Sequence, residues 1–285
     1  MRFLTRLADQ PYLLLTLTSL FWAGNAVVGR AVADEIPPVA LAEIRWIGAF
    51  LLLLPFAWRS IGSELPIIRR HFGILVLLSF TAISVFNTLL YWALQYTTAI
   101  NATLMQSSGP LLIGIWSMLL FRDPLTLRQF AGILVSLAGV LVIISEGQFE
   151  RLAALTLNVG DIAVIVAMVV YALYSTLLRK RPAMTPISFA AVTMGLGALL
   201  LLPLAIAETA AGAYFARLDA GSVAALVYVT LFPSVLAYLC FNRGVQLIGA
   251  NRAGPFFHLI PLSVRSSPSS SSASAQASIT ASERF

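Results

Sequence analysis

Apolar stretches of about 20 residues recur along this chain from Tyr12 onward, and only short polar segments separate them. Each stretch is long enough to cross a hydrocarbon core about 30 Å thick. Inside that core a backbone must satisfy its own hydrogen bonds, which an α-helix does within a single segment. Only 11% of the 285 residues are charged, against about 25% in soluble domains. The sequence therefore predicts an all-α integral membrane protein.

Charged residues, glycines and prolines divide the apolar stretches into predicted helices. The helices are predicted at residues 12–30, 38–58, 72–94, 99–121, 127–145, 159–179, 186–207 and 220–241, with a ninth that begins near residue 250. Polar joints of a few residues connect most of them, so neighbours along the chain are expected to run antiparallel through the membrane.

Arginine and lysine are unevenly distributed between the two sets of alternating loops. The loops on the side of the N-terminus contain Arg2, Arg6, Arg59, Arg69, Arg70, Arg122, Arg128, Arg179, Lys180, Arg181 and Arg243. The opposite loops contain only Arg30, Arg151 and Arg217. Because basic loops stay in the cytoplasm, we expect a multi-pass protein of the cell inner membrane with a cytoplasmic N-terminus. The net charge of +6 is spread over these loops and does not indicate nucleic-acid binding.

Short motifs recur at a spacing of about 150 residues, which is typical of an internal repeat. LLLLP occurs at Leu51–Pro55 and again 148 residues later at Leu199–Pro203. A spacing of 151 relates Gln95 to Gln246, Ala99 to Ala250, Ala102 to Ala253 and Pro110 to Pro261. Because each repeat would contain five helices, an odd number, the second copy would enter the membrane from the opposite side. The predicted fold is two inverted five-helix repeats.

The predicted first repeat covers residues 1–150 and helices one to five, and the second covers residues 151–262 and helices six to nine. Residues 263–285, SVRSSPSSSSASAQASITASERF, break the apolar pattern. One interpretation is a genuine polar tail, since a serine-rich segment has little apolar surface to bury. The interpretation we favour is a single-base deletion near codon 263, because TCN serine codons read out of frame encode Phe, Leu, Ile or Val. Either way, we expect the last one to two helices of a ten-helix fold to be missing or frameshifted.

Three motifs in this order, together with the repeat, resemble a known family. They are SLFWAGNAVVGRAV in the first helix, IPPVALAEIRW entering the second and LLYWALQYTTAINATLMQSSGPLL across the third and fourth. Over residues 12–262 the chain resembles EamA-type permeases of the drug/metabolite transporter superfamily. The resemblance implies ten helices in two inverted halves, a central substrate cavity and, in many members, export of amino acids or other metabolites.

Polar side chains within the third and eighth predicted helices are candidates for a substrate cavity. Asn87 and Tyr91 lie four residues apart and share one helix face. A shift of 151 places them on Tyr238 and Asn242, so both halves present a tyrosine and an asparagine in swapped order. Two such faces would line a cavity. Alternatively, these groups only tie helices together, at about 0.6 kcal/mol each.

The first, fourth and ninth helices contribute further candidates. Trp22 and Asn25 share a face of the first helix, although an interfacial position would equally explain Trp22. Pro110 and Pro261 are predicted to break helices four and nine, and Gln106 supplies an amide beside the first break. Broken helices at equivalent positions of two halves indicate a binding site, while packing alone is the alternative for the prolines.

Three ionisable residues complete the candidate set. Glu43 and Arg45, near the start of the second helix, are expected either to pair with neighbours at the periplasmic interface or to serve in gating. The family resemblance places an arginine at Arg45. His258, equivalent to Ser107 in the first half, is either a proton carrier or a hydrogen-bonded structural histidine.

These features predict a secondary transporter that moves a small metabolite, amino-acid-like or drug-like, across the inner membrane by alternating access, in the direction of efflux. One alternative is a non-functional product of a truncated permease gene. An intramembrane enzyme is disfavoured, because the sequence has no HExxH motif, no paired deep carboxylates and no Ser/His arrangement.

The expected partners are a small-molecule substrate and the lipid bilayer, while a coupling proton or other ion and a homodimer stay open. The chain has one cysteine, Cys240, and two histidines, too few for a thiolate or zinc cluster. We therefore expect no metal, no cofactor and no nucleic-acid partner.

Overall fold

The computed structural model describes residues 9–145, 158–213 and 219–265, and this part of the chain is helical. The helices are α1 (Pro11–Ala31), α2 (Pro38–Arg70), α3 (Phe72–Ala93), α4 (Ala99–Phe121), α5 (Leu127–Ser145), α6 (Val159–Lys180), α7 (Pro186–Ala210), α8 (Ala220–Ile248) and α9 (residues 250–265). Among them, seven are long and apolar enough to cross a membrane: α1, α2, α3, α4, α6, α7 and α8. The prediction of an all-α multi-pass membrane protein is confirmed.

Two helices run past their predicted ends. α2 continues from the predicted residue 58 to Arg70 and has 33 residues, which is about 50 Å at 1.5 Å per residue. α8 continues past Arg243 to Ile248. Sequence reasoning ended both helices at their first charges. A charge ends the membrane-embedded part of a helix, but its backbone hydrogen bonds continue into the interface and beyond.

α2 and α7 pack along each other, and a glutamate from each helix binds the N-terminus of the other. The Glu208 carboxylate of α7 accepts hydrogen bonds from the backbone N–H groups of Val39 (3.1 Å) and Ala40 (2.8 Å) at the start of α2. The Glu64 carboxylate of α2 accepts one from the N–H of Thr185, the N-cap of α7 (2.8 Å). Each acid satisfies backbone donors that a helix start leaves unpaired and complements the positive end of the helix dipole. The antiparallel pair is thereby tied at both ends.

Both α3 and α8 contain a wide π-helical turn, at Phe80–Val85 and Thr230–Leu236. A π turn adds a residue and releases a backbone carbonyl from the helical pattern. In α8, Pro233 has no N–H to donate, and the Ser234 hydroxyl donates to the Val229 carbonyl instead (2.6 Å). In α3, the Asn87 amide donates to the Ala82 carbonyl (2.7 Å). The turns therefore direct polar side chains into the bundle.

α4 and α9 are interrupted helices. α4 divides into Ala99–Gln106 and Gly109–Phe121, and Pro110 is the second residue of the second part. In α9 a 3₁₀ turn, Gly254–His258, precedes the last segment, which contains Pro261. Residues 266–285, most of the serine-rich segment, lie outside the described residues, and the frameshift hypothesis stays a prediction that genomic DNA across codons 255–290 would test.

α1 and α6 each pack against helices of both halves of the chain. α1 packs against α8 and α9, and α6 packs against α3 and α4. α9 also contacts α4 and α5. The faces that meet in this interior carry the polar and aromatic side chains described next.

Candidate functional site

A buried arginine connects four helices. Arg45 of α2 is only 1% exposed. Its Nε donates to the Ser234 hydroxyl of α8 (2.8 Å), and its Nη1 donates to the Oδ1 atoms of Asn25 in α1 and Asn87 in α3 (both 3.1 Å). Nη1 also donates to the hydroxyl of Tyr91, which in turn donates to Asn25 Oδ1 (2.7 Å). We call these five residues the Arg45 cluster.

The Arg45 cluster contains no carboxylate. None of the described residues offers Arg45 an ion pair. Glu43, two residues away, is itself buried, and its Oε2 has no hydrogen-bond partner in the described part. Residues two apart on a helix do not share a face, which explains why these two charges do not meet. Glu43 and Arg45 are thus both buried, and no ion pair joins either of them to another described residue.

An aromatic cluster lies next to the Arg45 cluster, with Trp22 of α1 at its centre. The Trp22 ring contacts Phe241 (centroids 5.1 Å apart), Tyr171 (5.5 Å), Phe257 (5.5 Å) and Tyr238 (6.1 Å). The indole N–H donates to the carbonyl of Pro233 (3.3 Å). Trp22 is thus partly buried and packed among four aromatic rings of α6, α8 and α9.

Tyr238 connects the two clusters. Its ring packs against that of Trp46 (centroids 5.2 Å apart), and its hydroxyl lies 3.4 Å from the Asn87 amide nitrogen. The hydroxyl also donates to the Ala82 carbonyl released by the π turn of α3 (2.8 Å). Asn87 and Tyr238, predicted to be equivalent in the two halves, therefore touch in the centre of the bundle.

A second tyrosine–asparagine hydrogen bond lies further along the bundle. The Tyr174 hydroxyl of α6 donates to Asn242 Oδ1 of α8 (2.6 Å), and both residues are buried. Sequence reasoning named Asn242 but missed Tyr174, Tyr171 and Ser234. The internal repeat could have identified the two tyrosines, because a spacing of 149 relates Trp22 to Tyr171 and Asn25 to Tyr174.

His258 joins α9 to its neighbours. Its Nε2 lies 2.9 Å from the Ser107 carbonyl oxygen, so this nitrogen must carry a proton and donate. Its Nδ1 lies 2.6 Å from the Ser136 hydroxyl, which can then donate to it. Gln106, next to Ser107, is 3% exposed, and its Nε2 has no partner in the described part. Each ring nitrogen of His258 thus has a hydrogen-bond partner, whereas the Gln106 amide has an unpaired donor among the described residues.

Two cavities of opposite charge lie at opposite ends of α2. The basic cavity has a volume of about 810 Å³, and its lining includes Glu64, Arg179, Arg181, Thr185, Asn242 and Gln246. The acidic cavity has a volume of about 470 Å³, and its lining includes Asp34, Glu35, Pro38, Trp92, Gln95 and Glu208. Pro38 and Glu64, one in each lining, are 26 positions apart, about 39 Å along a helix.

The basic cavity keeps its positive charge at neutral pH. Burial lowers the pKa of Arg181. Tyr174 raises this pKa, and the nearby Arg243 guanidinium lowers it further. An arginine pKa starts so far above neutrality that Arg181 stays protonated. Within the described residues no group of three His, Cys, Asp or Glu side chains is placed to hold a metal ion.

Apolar helices of membrane-spanning length, packed around a buried polar cluster between two end cavities, define a multi-spanning protein of the transporter class. The chain belongs to the EamA-like transporter family, which matches residues 10–145 and 158–265. The family expected from the sequence motifs is thereby confirmed.

Known relatives agree with this assignment. The uncharacterized transporter YyaM of Bacillus subtilis is 28% identical over 88% of this chain and 82% of its own length. An uncharacterized transporter of Archaeoglobus fulgidus is 29% identical over 89% of this chain and 86% of its own. A solved crystal structure shares the fold with a TM-score of 0.65 at 17% identity, over 89% of this chain and 85% of that one.

Proposed function

We propose that this protein is a secondary transporter that exports a small metabolite across the cell inner membrane by alternating access. The observation that carries the proposal is the closed interior between the two cavities. The Arg45 cluster and the aromatic cluster fill the bundle between them, and Arg45 itself is buried. A site closed to both ends is what an alternating-access cycle passes through between its two open states.

Several features recur at the repeat spacing and support two inverted repeats, of which the described second one contains four helices, α6 to α9. The π turns occupy equivalent positions in α3 and α8, and both α4 and α9 are interrupted. Asn25 and Tyr91 join α1 to α3, just as Tyr174 and Asn242 join α6 to α8. The family also matches the chain twice. In inverted halves these two hydrogen bonds lie toward opposite ends, where each would close one side of the site.

The direction of insertion follows from the loop charges. With the N-terminus in the cytoplasm, the basic cavity faces the cytoplasm and the acidic cavity faces the opposite side.

Transport coupled to a proton is a further part of the proposal, and the buried Glu43 and His258 are its candidate carriers. The proposed substrate cavity comprises Trp22, Asn25, Asn87, Tyr91, Gln106, Tyr238, Asn242 and His258.

The test is a comparison of metabolites in the medium of cells that express the wild type or Asn242→Leu. Asn242 lines the basic cavity and holds the Tyr174 hydroxyl. We expect a defined set of compounds to accumulate in the medium of wild-type cells. In the medium of Asn242→Leu cells, the concentrations of these compounds should fall to those found with cells that lack the protein. Equal expression in the membrane is checked by immunoblot. The proposal fails if no compound distinguishes wild-type cells from cells without the protein.

A further inference from the structure

Arg45 is a buried cation whose described partners are all neutral. Its hydrogen bonds go to two amides and two hydroxyls, and no carboxylate of the described chain pairs with it. A charged side chain inside a membrane protein is costly and is normally paired with an opposite charge. The described residues therefore give Arg45 no anionic partner, and its guanidinium lies against the rings of Trp46 (4.6 Å to the centroid) and Tyr91 (5.4 Å) instead.

The hydrogen-bonding inventory of the guanidinium points the same way. An arginine has five N–H donors, of which Nε carries one and each Nη carries two. Nε donates to Ser234, and the Nη1 donors are shared among three acceptors. The two Nη2 donors have no hydrogen-bond partner among the described residues. Nη2 is therefore available to an anionic oxygen, and a bidentate carboxylate would pair it with the N–H of Nε or Nη1 once that group leaves its neutral partner.

All four neutral partners of Arg45 keep at least one other hydrogen bond when it leaves, and only the Asn87 Oδ1 atom is left without a described partner. Ser234 also donates to the Val229 carbonyl, Tyr91 also donates to Asn25, and the Asn87 amide donates to the Ala82 carbonyl. A fixed carboxylate partner would instead be left as an unpaired buried charge whenever Arg45 bound something else. The arrangement holds the guanidinium in place and leaves it available to an arriving anion.

We propose that Arg45 binds an anionic group of the transported molecule, a carboxylate in the first instance, which supplies the missing counter-charge. This inference rests on the proposed transport function and assigns the substrate class of its site. The charges of the two cavities agree with it. Arg181 would attract an anion into the basic cavity, where Arg179 is paired with Asp123, and Asp34, Glu35 and Glu208 would lower the anion concentration at the acidic cavity and so disfavour its return.

The experiment starts from the compounds that wild-type cells export, identified by mass spectrometry of the medium. Arg45→Gln removes the charge and keeps polar contacts, and Arg30→Gln is the matched control. Arg30 lies in the same half of the bundle, is partly exposed and donates to the Leu94 carbonyl outside the Arg45 cluster. We expect the exported compounds to carry a carboxylate or another oxyanion. Their export should fall at least about tenfold in Arg45→Gln and change less than about twofold in Arg30→Gln.

A second measurement compares each exported carboxylate with its synthetic amide in membrane vesicles. The wild type should transport the carboxylate at least about tenfold faster, and this preference should disappear in Arg45→Gln. If Arg45→Gln does not reach the membrane, two measurements decide whether the anion site exists. They are the preference of the wild type for the carboxylate over the amide, and the same preference in Arg45→Lys, which retains the charge. Exported compounds without an anionic group, or a carboxylate preference that survives in Arg45→Gln, would overturn the anion site while leaving transport intact. The absence of any exported compound removes the transport function and the anion site together.

Discussion

Tyr174 and Asn242 form a hydrogen bond that tests how much a single buried contact contributes. Tyr174→Phe removes the donor and leaves Asn242 Oδ1 unsatisfied inside the bundle. We expect the free energy of unfolding to fall by about 1–2 kcal/mol, because an unpaired buried acceptor retains its desolvation cost. Thermal unfolding of the purified protein in detergent measures the loss. Tyr12→Phe is the control, since Tyr12 is 65% exposed. If Tyr174→Phe and Tyr12→Phe unfold at the same temperature, the expectation is contradicted.

The candidate residues could be named from the sequence more reliably than their contacts. Asn25, Asn87 and Tyr91 stood out because polar groups are rare in membrane spans, and all three contact Arg45. Nothing in their spacing predicted that Arg45 would be their common partner. Which faces of α1, α2, α3 and α8 meet depends on helix packing, and residues far apart in sequence decide it. Ser234 was missed because its role follows from the π turn at Pro233.

At the scale of helices, the period and length of apolar runs predicted the elements well. Most predicted boundaries agree with the structure, because lipid exposure forces whole spans to be apolar and helical. The extensions of α2 and α8 and the two π turns were not predictable in this way. A π turn reflects a local exchange of backbone partners, such as the serine hydroxyl that replaces the missing N–H of Pro233.

The contact between α3 and α6 gives a prediction at the scale of elements. A Cβ added at Gly160 would lie 2.6 Å from the Ala93 carbonyl oxygen, a backbone atom that cannot move aside easily. Gly160→Ala should therefore separate α3 from α6 and lower the free energy of unfolding by about 1–3 kcal/mol. Gly62 of α2 is the matched control, because a Cβ there meets nothing within 4 Å.

Gly62→Ala should be neutral or stabilise α2 by up to about 1 kcal/mol, since alanine is the better helix former. Thermal unfolding in the same detergent compares the two alanine variants directly. A destabilised Gly62→Ala, or a Gly160→Ala as stable as the wild type, would show that this close approach does not limit the packing.

The orientation of the whole molecule is open to a direct measurement. Replacing Cys240, the single cysteine, with alanine gives a background into which one new cysteine is introduced. A membrane-impermeant maleimide added to intact cells should label Asp34→Cys, at the end of α1, and should not label Ser63→Cys, in the extension of α2. Labelling of both after lysis is the control. The reverse pattern would place the N-terminus outside and exchange the sides of the two cavities.

The two end cavities also determine how the protein experiences the membrane voltage. The two cavities lie at opposite ends of the bundle, so the electrical potential falls across the interior between them, which contains the Arg45 cluster. Moving one elementary charge through that potential is worth about 2.3 kcal/mol per 100 mV. In a cell with a negative interior, an anion held at Arg45 and released through the acidic cavity moves down this gradient. The voltage would then drive export of the proposed substrate class and oppose its return.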